Sequence, residues 1–410
     1  MNIAVVHNSY YAPSGEETVV AALLDLLAAN GHQTSLFGRC SAEIATMAFG
    51  KVRAFFSGVY SVRTQRAFRG FLEKTCPDVV HVHNVFPLIS PSVFVECHRA
   101  KVPVVMSVHN YRLICPTGLH MPKWDSRPCE RCCGGHEYWC VLKNCESNLV
   151  KSLGYALRTY VSRAAELFRA NVSVYACLTE FQKRRLIAAG FPEGRMAVIP
   201  NMVPSANRSN QLGAGDYVGY AGRVSPEKGI DVFTDAARRC PDIPFQVAGK
   251  HGGGPCVLSE PPGNCTFLGH LSSNEMANFY AASRFVVVPS VWYETFGLCA
   301  AEAQVHGKAV ICSRIGALPE IVEDQVTGLL FEAGDPDDLA QKIRYLWDRP
   351  DLCDQMGLRG RAKVLDEYSS EKYYERTMAM YERALRPAQP GAISRTGRRS
   401  RRASCVSIRV

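Results

Sequence analysis

At 410 residues, 47% hydrophobic and 21% charged, the chain is longer than one hydrophobic core usually supports and has the composition of a folded globular protein, so two domains are expected and a disordered or fibrous chain is excluded. No apolar run approaches the roughly 18 residues that cross a bilayer, residues 285–291 being interrupted by Pro289, and the opening run 3–7 is too short for a signal peptide; a cytoplasmic protein is expected. The net charge of +9 hints at nucleic acid until it is located: six arginines and no acid stand between 387 and 410, so most of the excess is a tail, and no specific nucleic-acid partner is expected.

Apolar runs alternate with helical patterns almost throughout, the pattern of parallel sheets with helices on both faces. Residues 3–7 read as a first strand and 18–29 as an amphipathic helix stopped by Asn30-Gly31. Residues 78–83, 102–109 and 174–179 read as strands, the last leading into a helix over 180–189 that Gly190 ends. A polar stretch over 205–215, after Ile199-Pro200-Asn201, marks the domain boundary. The pattern restarts with strands at 217–220, 245–248, 266–268, 285–288 and 309–312, and ends with helices over 335–346 and 373–385.

The organisation read from this order is a first Rossmann-like domain over 1–204, with a cysteine-rich insert at about 115–145, and a second over 213–368. A helix over 369–386 crosses back to the first domain, and the tail 387–410, rich in Arg, Ser, Gly and Pro, is disordered. The tail is either a solvated appendage or a weak contact for anionic lipid or nucleic acid. Most of the 17 cysteines, spread along a long chain without secretory signals, read as reduced core residues.

The strongest local signal is Glu294-Thr-Phe-Gly-Leu-Cys-Ala-Ala-Glu302, which follows the strand at 285–288 and runs into a helix. It sets two carboxylates at the carboxyl end of a parallel strand, where open α/β sheets bind ligands, around a helix start whose free N–H groups suit a phosphate. Ionised carboxylates only accept, so Glu302 suits ribose hydroxyls and Glu294 sugar hydroxyls; the alternative for Glu294 is a first-turn acid favoured by the helix dipole. The second signal is Gly222-Arg223-Val-Ser-Pro-Glu-Lys228-Gly229, directly after the first strand of the second half. Two cations on such a loop can converge on a diphosphate, or the segment is a solvated turn.

Together with Pro289-Ser290 and Ile315-Gly-Ala-Leu-Pro-Glu320, these motifs resemble, in order and spacing, the family-four glycosyltransferases of the GT-B fold, over residues 2–386. The resemblance implies an α/β chain of two Rossmann-like domains facing across a cleft. It further implies a retaining, metal-independent transfer of a sugar from a UDP- or GDP-sugar to a glycan or lipid-linked acceptor, as in cell-surface polysaccharide or glycolipid synthesis. By that resemblance Arg223 and Lys228 hold the donor diphosphate and Glu302 the ribose. Glu294 and the backbone of Phe296, Gly297 and Leu298 hold sugar and phosphate, and Gly269 borders the base. Pro13-Ser-Gly15-Glu-Glu17 corresponds to the family's glycine loop, with Ser14-Gly15 where members often carry two glycines. His109 matches the family's cleft histidine, and with Glu294 it forms the expected catalytic pair. His81 and His83 alternate on one strand, share a face, and read as packing or cleft-floor residues.

Six cysteines fall between 115 and 145. A Cys-x2-Cys pair with two distant cysteines is an acceptable tetrahedral zinc set, and a subset of the family looks similar; Cys115, Cys129, Cys132 and Cys145 are the candidate ligands, a metal-free thiol cluster the alternative. No cofactor is expected to be needed for catalysis. Asp335-Pro-Asp337 resembles a metal-binding Asp-x-Asp but reads as a helix cap. Residues 51–72 mix Lys51, Arg53, Arg63, Arg66 and Arg69 with Phe55, Phe56, Tyr60, Phe68 and Phe71, either a basic face for an anionic membrane on the inner leaflet or an ordinary helix with its apolar side in the core. A nucleotide-sugar epimerase, a glycan phosphorylase and a non-catalytic glycan-binding protein are the alternatives of function.

Overall fold

The runs VVHVHN, VVMSV, YVGYA and AVICS must be covered on both faces, and every residue in them is buried. The structure, a computed structural model, describes residues 1–11, 15–204, 215–251 and 260–386; Pro13 and Ser14 of the glycine loop, the boundary stretch 205–214 and the tail lie outside the described residues. The first half contains β1 (Asn2–Ser9), α1 (Gly15–Ala29), β2 (Gln33–Cys40), α2 (Glu43–Thr46), α3 (Gly50–Val59), α4 (Val62–Thr75), β3 (Val79–Asn84), α5 (Ser92–Ala100), β4 (Val104–Val108), α6 (Tyr138–Leu142), α7 (Leu149–Ala164), β5 (Val174–Cys177), α8 (Glu180–Ala188) and β6 (Met196–Val198). The second contains β7 (Tyr217–Ala221), α9 (Ile230–Arg239), β8 (Phe245–Ala248), β9 (Cys265–Gly269), α10 (Ser273–Ala282), β10 (Ser283–Val288), α11 (Leu298–Val305), β11 (Ala309–Ser313), α12 (Leu318–Ile321), β12 (Gly328–Phe331), α13 (Pro336–Trp347), α14 (Pro350–Glu367) and α15 (Ser370–Leu385).

The strands form two parallel six-stranded sheets, ordered β2-β1-β3-β4-β5-β6 and β12-β11-β10-β7-β8-β9. This is the expected α/β architecture of two Rossmann-like domains. Strand order reverses between β1 and β3 in one sheet and between β7 and β10 in the other, the two places where open sheets form ligand crevices. The edge strand β2 was not legible as a strand because its residues alternate between half-buried and exposed and offer no continuous apolar run.

Alternate residues of each strand feed opposite cores. Val80, Val82 and Met106 pack with Phe68 and Phe94, whereas Val79 and Val105 pack with Ile3, Val5 and Leu23. That second core also holds Tyr373, Met380 and Tyr381 of α15, so the last helix lies on the first sheet. Their spacing of seven and eight residues sets them on one helix face. The Tyr381 hydroxyl is 2.8 Å from Nδ1 of His81.

One ambiguous segment is resolved. Asp335 caps α13, its side chain accepting from the N–H groups of Asp337 and Asp338 at 2.9 and 3.1 Å, so Asp335-Pro-Asp337 is a cap. Residues 51–72 break into α3 and α4, because Ser61 caps a new helix start; Phe68 and Leu72 of α4 enter the core, while Phe56 of α3 stays exposed.

Candidate active site

Pro289-Ser290 follows β10, and the chain then turns through Glu294 into α11, whose N-cap is Gly297. Glu294 is buried and accepts from Lys228 Nζ at 2.7 Å and Ser290 Oγ at 2.6 Å. Burial alone raises a carboxyl pKa, but the Lys228 ammonium and the hydrogen bonds outweigh it and hold Glu294 below the usual range. Lys228 reaches this point because Gly229, at φ +71°, presses against β10: a Cβ there would lie 1.8 Å from the Pro289 carbonyl oxygen.

Arg223 points elsewhere. Its guanidinium pairs with Glu227 at 2.9 Å and is largely exposed, so the two cations of the loop share no partner in this structure. Glu302, one turn into α11, accepts from the Tyr280 hydroxyl at 3.0 Å, and burial raises its pKa. The Phe296 side chain is in the core against Tyr368, leaving only its backbone for the cleft. Gly269 ends β9 at φ +73° with its carbonyl accepting from Gly249 at 2.7 Å.

The first domain meets this loop directly. Thr295 Oγ1 donates to the His109 carbonyl at 3.1 Å, and Thr179 Oγ1 donates to the Thr295 carbonyl at 3.2 Å. Gly15 opens α1 opposite Leu298 at the start of α11; a Cβ at Gly15 would be 2.9 Å from Leu298 Cδ1. Two helix N-termini, each a positive dipole end, therefore face one cleft. Glu320 spans the domains too, accepting from the N–H groups of Glu180 and Phe181 at the start of α8 at 2.8 and 2.6 Å.

His109 follows β4 at the cleft, and its Nε2 is 2.8 Å from Nδ1 of His83. Burial, reinforced by His7, pushes the His109 pKa down to about 3. His83 is driven well below its ordinary value, by burial and then by its histidine neighbours. His81 stacks on His83 and is anchored by Tyr381 and Ser107, so the shared face read from their alternation is a histidine row. Sequence reading passed over His7, which lies 3.7 Å from both Glu16 and Glu17 and edge-on to His83. It also passed over Tyr10, whose hydroxyl is 3.1 Å from Glu16 and whose ring faces the Arg112 guanidinium. Their signal was position: His7 lies near the carboxyl end of β1 and Tyr10 just beyond it.

Cys140 joins the expected cysteines. Cys140 packs with Cys132 and Cys145, its carbonyl accepting from the Cys145 N–H at 3.0 Å; Cys115 also packs in the main core and Cys129 is half-buried, and both lie near enough to Cys132 to act on its thiol. Among the described residues, no group of three or more His, Cys, Asp or Glu side chains is arranged to hold a metal ion. Cys132 nevertheless stands within electrostatic reach of Cys115, Cys129, Cys133 and Cys145, and Cys140 lies beside Cys145.

Residues 14–202 match the family described as "Glycosyl transferase 4-like domain", and residues 206–363 match "Glycosyl transferases group 1". Among curated proteins, D-inositol 3-phosphate glycosyltransferase of Mycobacterium avium (strain 104) is 33% identical over 181 residues, 42% of this chain and 42% of that protein. The enzyme of the same name from Mycolicibacterium smegmatis is 32% identical over 197 residues, 44% of each. The chain thus spans less than half the length of these relatives. Among solved structures, Anabaena Alr3699/HepE in complex with UDP-glucose has a TM-score of 0.65 at 16% identity, covering 93% of this chain and 99% of that one. Sucrose-phosphate synthase from Thermosynechococcus elongatus has 0.69 at 18%, covering 93% and 98%. At these identities the structural likeness establishes the fold.

Proposed function

We propose that this chain, whose two halves match a 4-like and a group 1 glycosyltransferase family and whose fold is GT-B, moves a sugar, with retention, from a UDP- or GDP-sugar to a glycan or lipid-linked acceptor. The observation that carries the reading is the Lys228–Glu294 pair at the start of α11, facing His109 across the cleft.

In this reading the donor diphosphate lies at the two helix N-termini, with Lys228 and a reoriented Arg223 neutralising it. Glu302 takes the ribose, Glu294 the sugar hydroxyls and Gly269 borders the base. Neutral His109, held by His83, positions the reacting sugar. The bond from the anomeric carbon to the phosphate oxygen breaks with its electron pair leaving on the nucleotide diphosphate. The acceptor hydroxyl then bonds to that carbon on the same face and gives its proton to the departing phosphate oxygen. Positioning and leaving-group electrostatics lower the barrier, and neither a catalytic metal nor an organic cofactor is required. The product belongs to cell-surface polysaccharide or glycolipid synthesis at the inner face of the cytoplasmic membrane.

A thermal-shift panel of UDP-, GDP- and ADP-sugars on wild type and Arg223→Ala tests the donor assignment. The expected result is one nucleotide series stabilising wild type and losing its effect in the variant. No stabilisation, or equal stabilisation of both proteins, would overturn it. D-inositol 3-phosphate, the acceptor named for the relatives, belongs in the acceptor panel, with product anomers read by NMR.

A further inference from the structure

α7 is built inside out. Its inward face is Ser152, Gly154, Ala156, Arg158, Thr159 and Ser162. Outward stand Leu149, Val150, Leu153, Leu157 and Tyr160, which are 62, 69, 52, 39 and 53% exposed. Positions 149, 153, 157 and 160 fall on successive turns of one stripe. An ordinary surface helix has the reverse pattern. Close approach from below explains the inward side: a Cβ at Gly154 would lie 2.4 Å from the Phe55 ring of α3, and Arg158 stacks on Phe86 at 4.2 Å while donating to the Pro116 carbonyl at 2.7 Å.

The stripe extends to neighbouring elements. Leu142 and Tyr138 of α6 and Trp124 before it are exposed, and so is Phe56 on α3, which packs against α7. Two lysines border it. Lys143 lies over the Trp124 ring at 5.0 Å and Lys151 is exposed beside the leucines. The acids Glu137 and Glu146 turn inward to Arg163 and Lys123, at 2.6 and 2.8 Å. Beyond Phe56 opens a groove of about 700 Å³ lined by Arg53, Arg63 and Tyr60, with Arg39 at its side paired to Glu43 at 2.7 Å.

We propose that this face of the first domain docks on an anionic membrane surface, with the α7 stripe laid in the interface and the arginine groove taking lipid headgroups. An apolar helix face with aromatic margins and flanking cations is what an anionic bilayer boundary accommodates, to a depth of roughly 5–10 Å. The chain's own tail is a poor cover, since its arginines would meet Lys143, Lys151 and the groove. A second copy seated on the same face would bring these cations against their own kind. The surface is independent of the donor reading, yet it bears on the acceptor. Arg158 on the inward side of α7 lies within electrostatic reach of Arg112, three residues after His109, so the docked helix backs onto the segment that leaves the cleft.

The test sediments full-length protein with phosphatidylcholine vesicles, with or without about one third phosphatidylglycerol. Wild type is expected to bind the anionic vesicles, and Leu153→Glu/Leu157→Glu to lose about tenfold or more in binding while keeping the wild-type melting temperature. Leu149→Ser/Leu153→Ser serves if the glutamates impair folding. Fluorescence that shifts to the blue on vesicles in wild type, and does so less in Trp124→Phe, places the margin in the interface. No vesicle binding, equal binding by the stripe variants, or binding lost only when Arg398, Arg399, Arg401 and Arg402 are changed to Gln would overturn the proposal. So would a stripe-dependent dimer in sedimentation velocity without vesicle binding. Nucleotide-sugar thermal shifts on the same samples report the donor site separately.

Discussion

His83 Nδ1 and His109 Nε2 face each other at 2.8 Å, so one nitrogen donates and the other accepts, and the tautomer of the cleft histidine is set by a residue one strand away. His83→Ala is therefore expected to lower kcat by about tenfold or more with little change in donor KM, whereas His109→Ala costs about a hundredfold. Steady-state kinetics on both variants checks this. A kcat unchanged in His83→Ala would remove His83 from the site.

The same row makes the protein acid-sensitive. His81 and His109 are pushed down to about 3 from an ordinary value of 6.5, and His83 lies well below it, in each case chiefly by burial. The unfolded chain takes up protons near pH 6.5 that the folded rings refuse until about pH 3, so their contribution to stability is whole above pH 6.5 and is lost as pH falls through that window. Urea midpoints measured from pH 7 to 4.5 should fall steadily, and His81→Asn should flatten the slope.

Glu16 has the opposite sign. Burial first, opposed by Arg112 and the Tyr10 hydroxyl, pushes its carboxyl up to about 8 from an ordinary 4.5. The folded protein thus keeps a proton that the unfolded chain releases, and this stabilisation is present below pH 4.5 and lost as pH rises through 8. Glu16→Gln should raise stability above pH 8 by on the order of 2–4 kcal/mol and change little near pH 4.5, as melting temperatures at the two pH values would register.

Removing Lys228 alone leaves the buried Glu294 carboxylate without its cation, which should cost about 3–5 kcal/mol. Lys228→Met/Glu294→Gln, which removes both charges, should be more stable than Lys228→Ala while remaining inactive. Denaturant unfolding of the two proteins decides. Equal destabilisation would mean that the pair is not coupled in the folded state.

Glu320 caps α8 from the other domain, so Glu320→Ala should cost about 1 kcal/mol and loosen the closure between domains. Small-angle scattering would register a larger radius of gyration in the variant. An unchanged radius with unchanged melting would make the contact incidental.

The strands of both sheets were legible wherever a run such as 285–288 or 309–312 is apolar on both faces, because a strand covered on both sides can use such a run. The loops bearing Lys228 and Glu294 were legible as well, since their chemistry is local: a glycine turn, a strand end and a helix start lie within a few residues of sequence. The exposed stripe of α7 was not legible. Its leucines follow the same period as a core face, and only neighbouring elements decide which side is covered.

The sequence by itself determined the alternation of strands and helices, the division into two halves and the residue types at the second-sheet loops, because hydrophobic period and turn chemistry act over short distances. Only the tertiary structure decided that Lys228 turns to Glu294 while Arg223 turns away, that His7, His83 and His109 meet, that Cys140 takes a place in the thiol cluster and that α7 faces outward. Those outcomes depend on which buried groups find partners across strands, helices and domains. That pairing is fixed by packing in three dimensions and leaves no periodic trace along the chain.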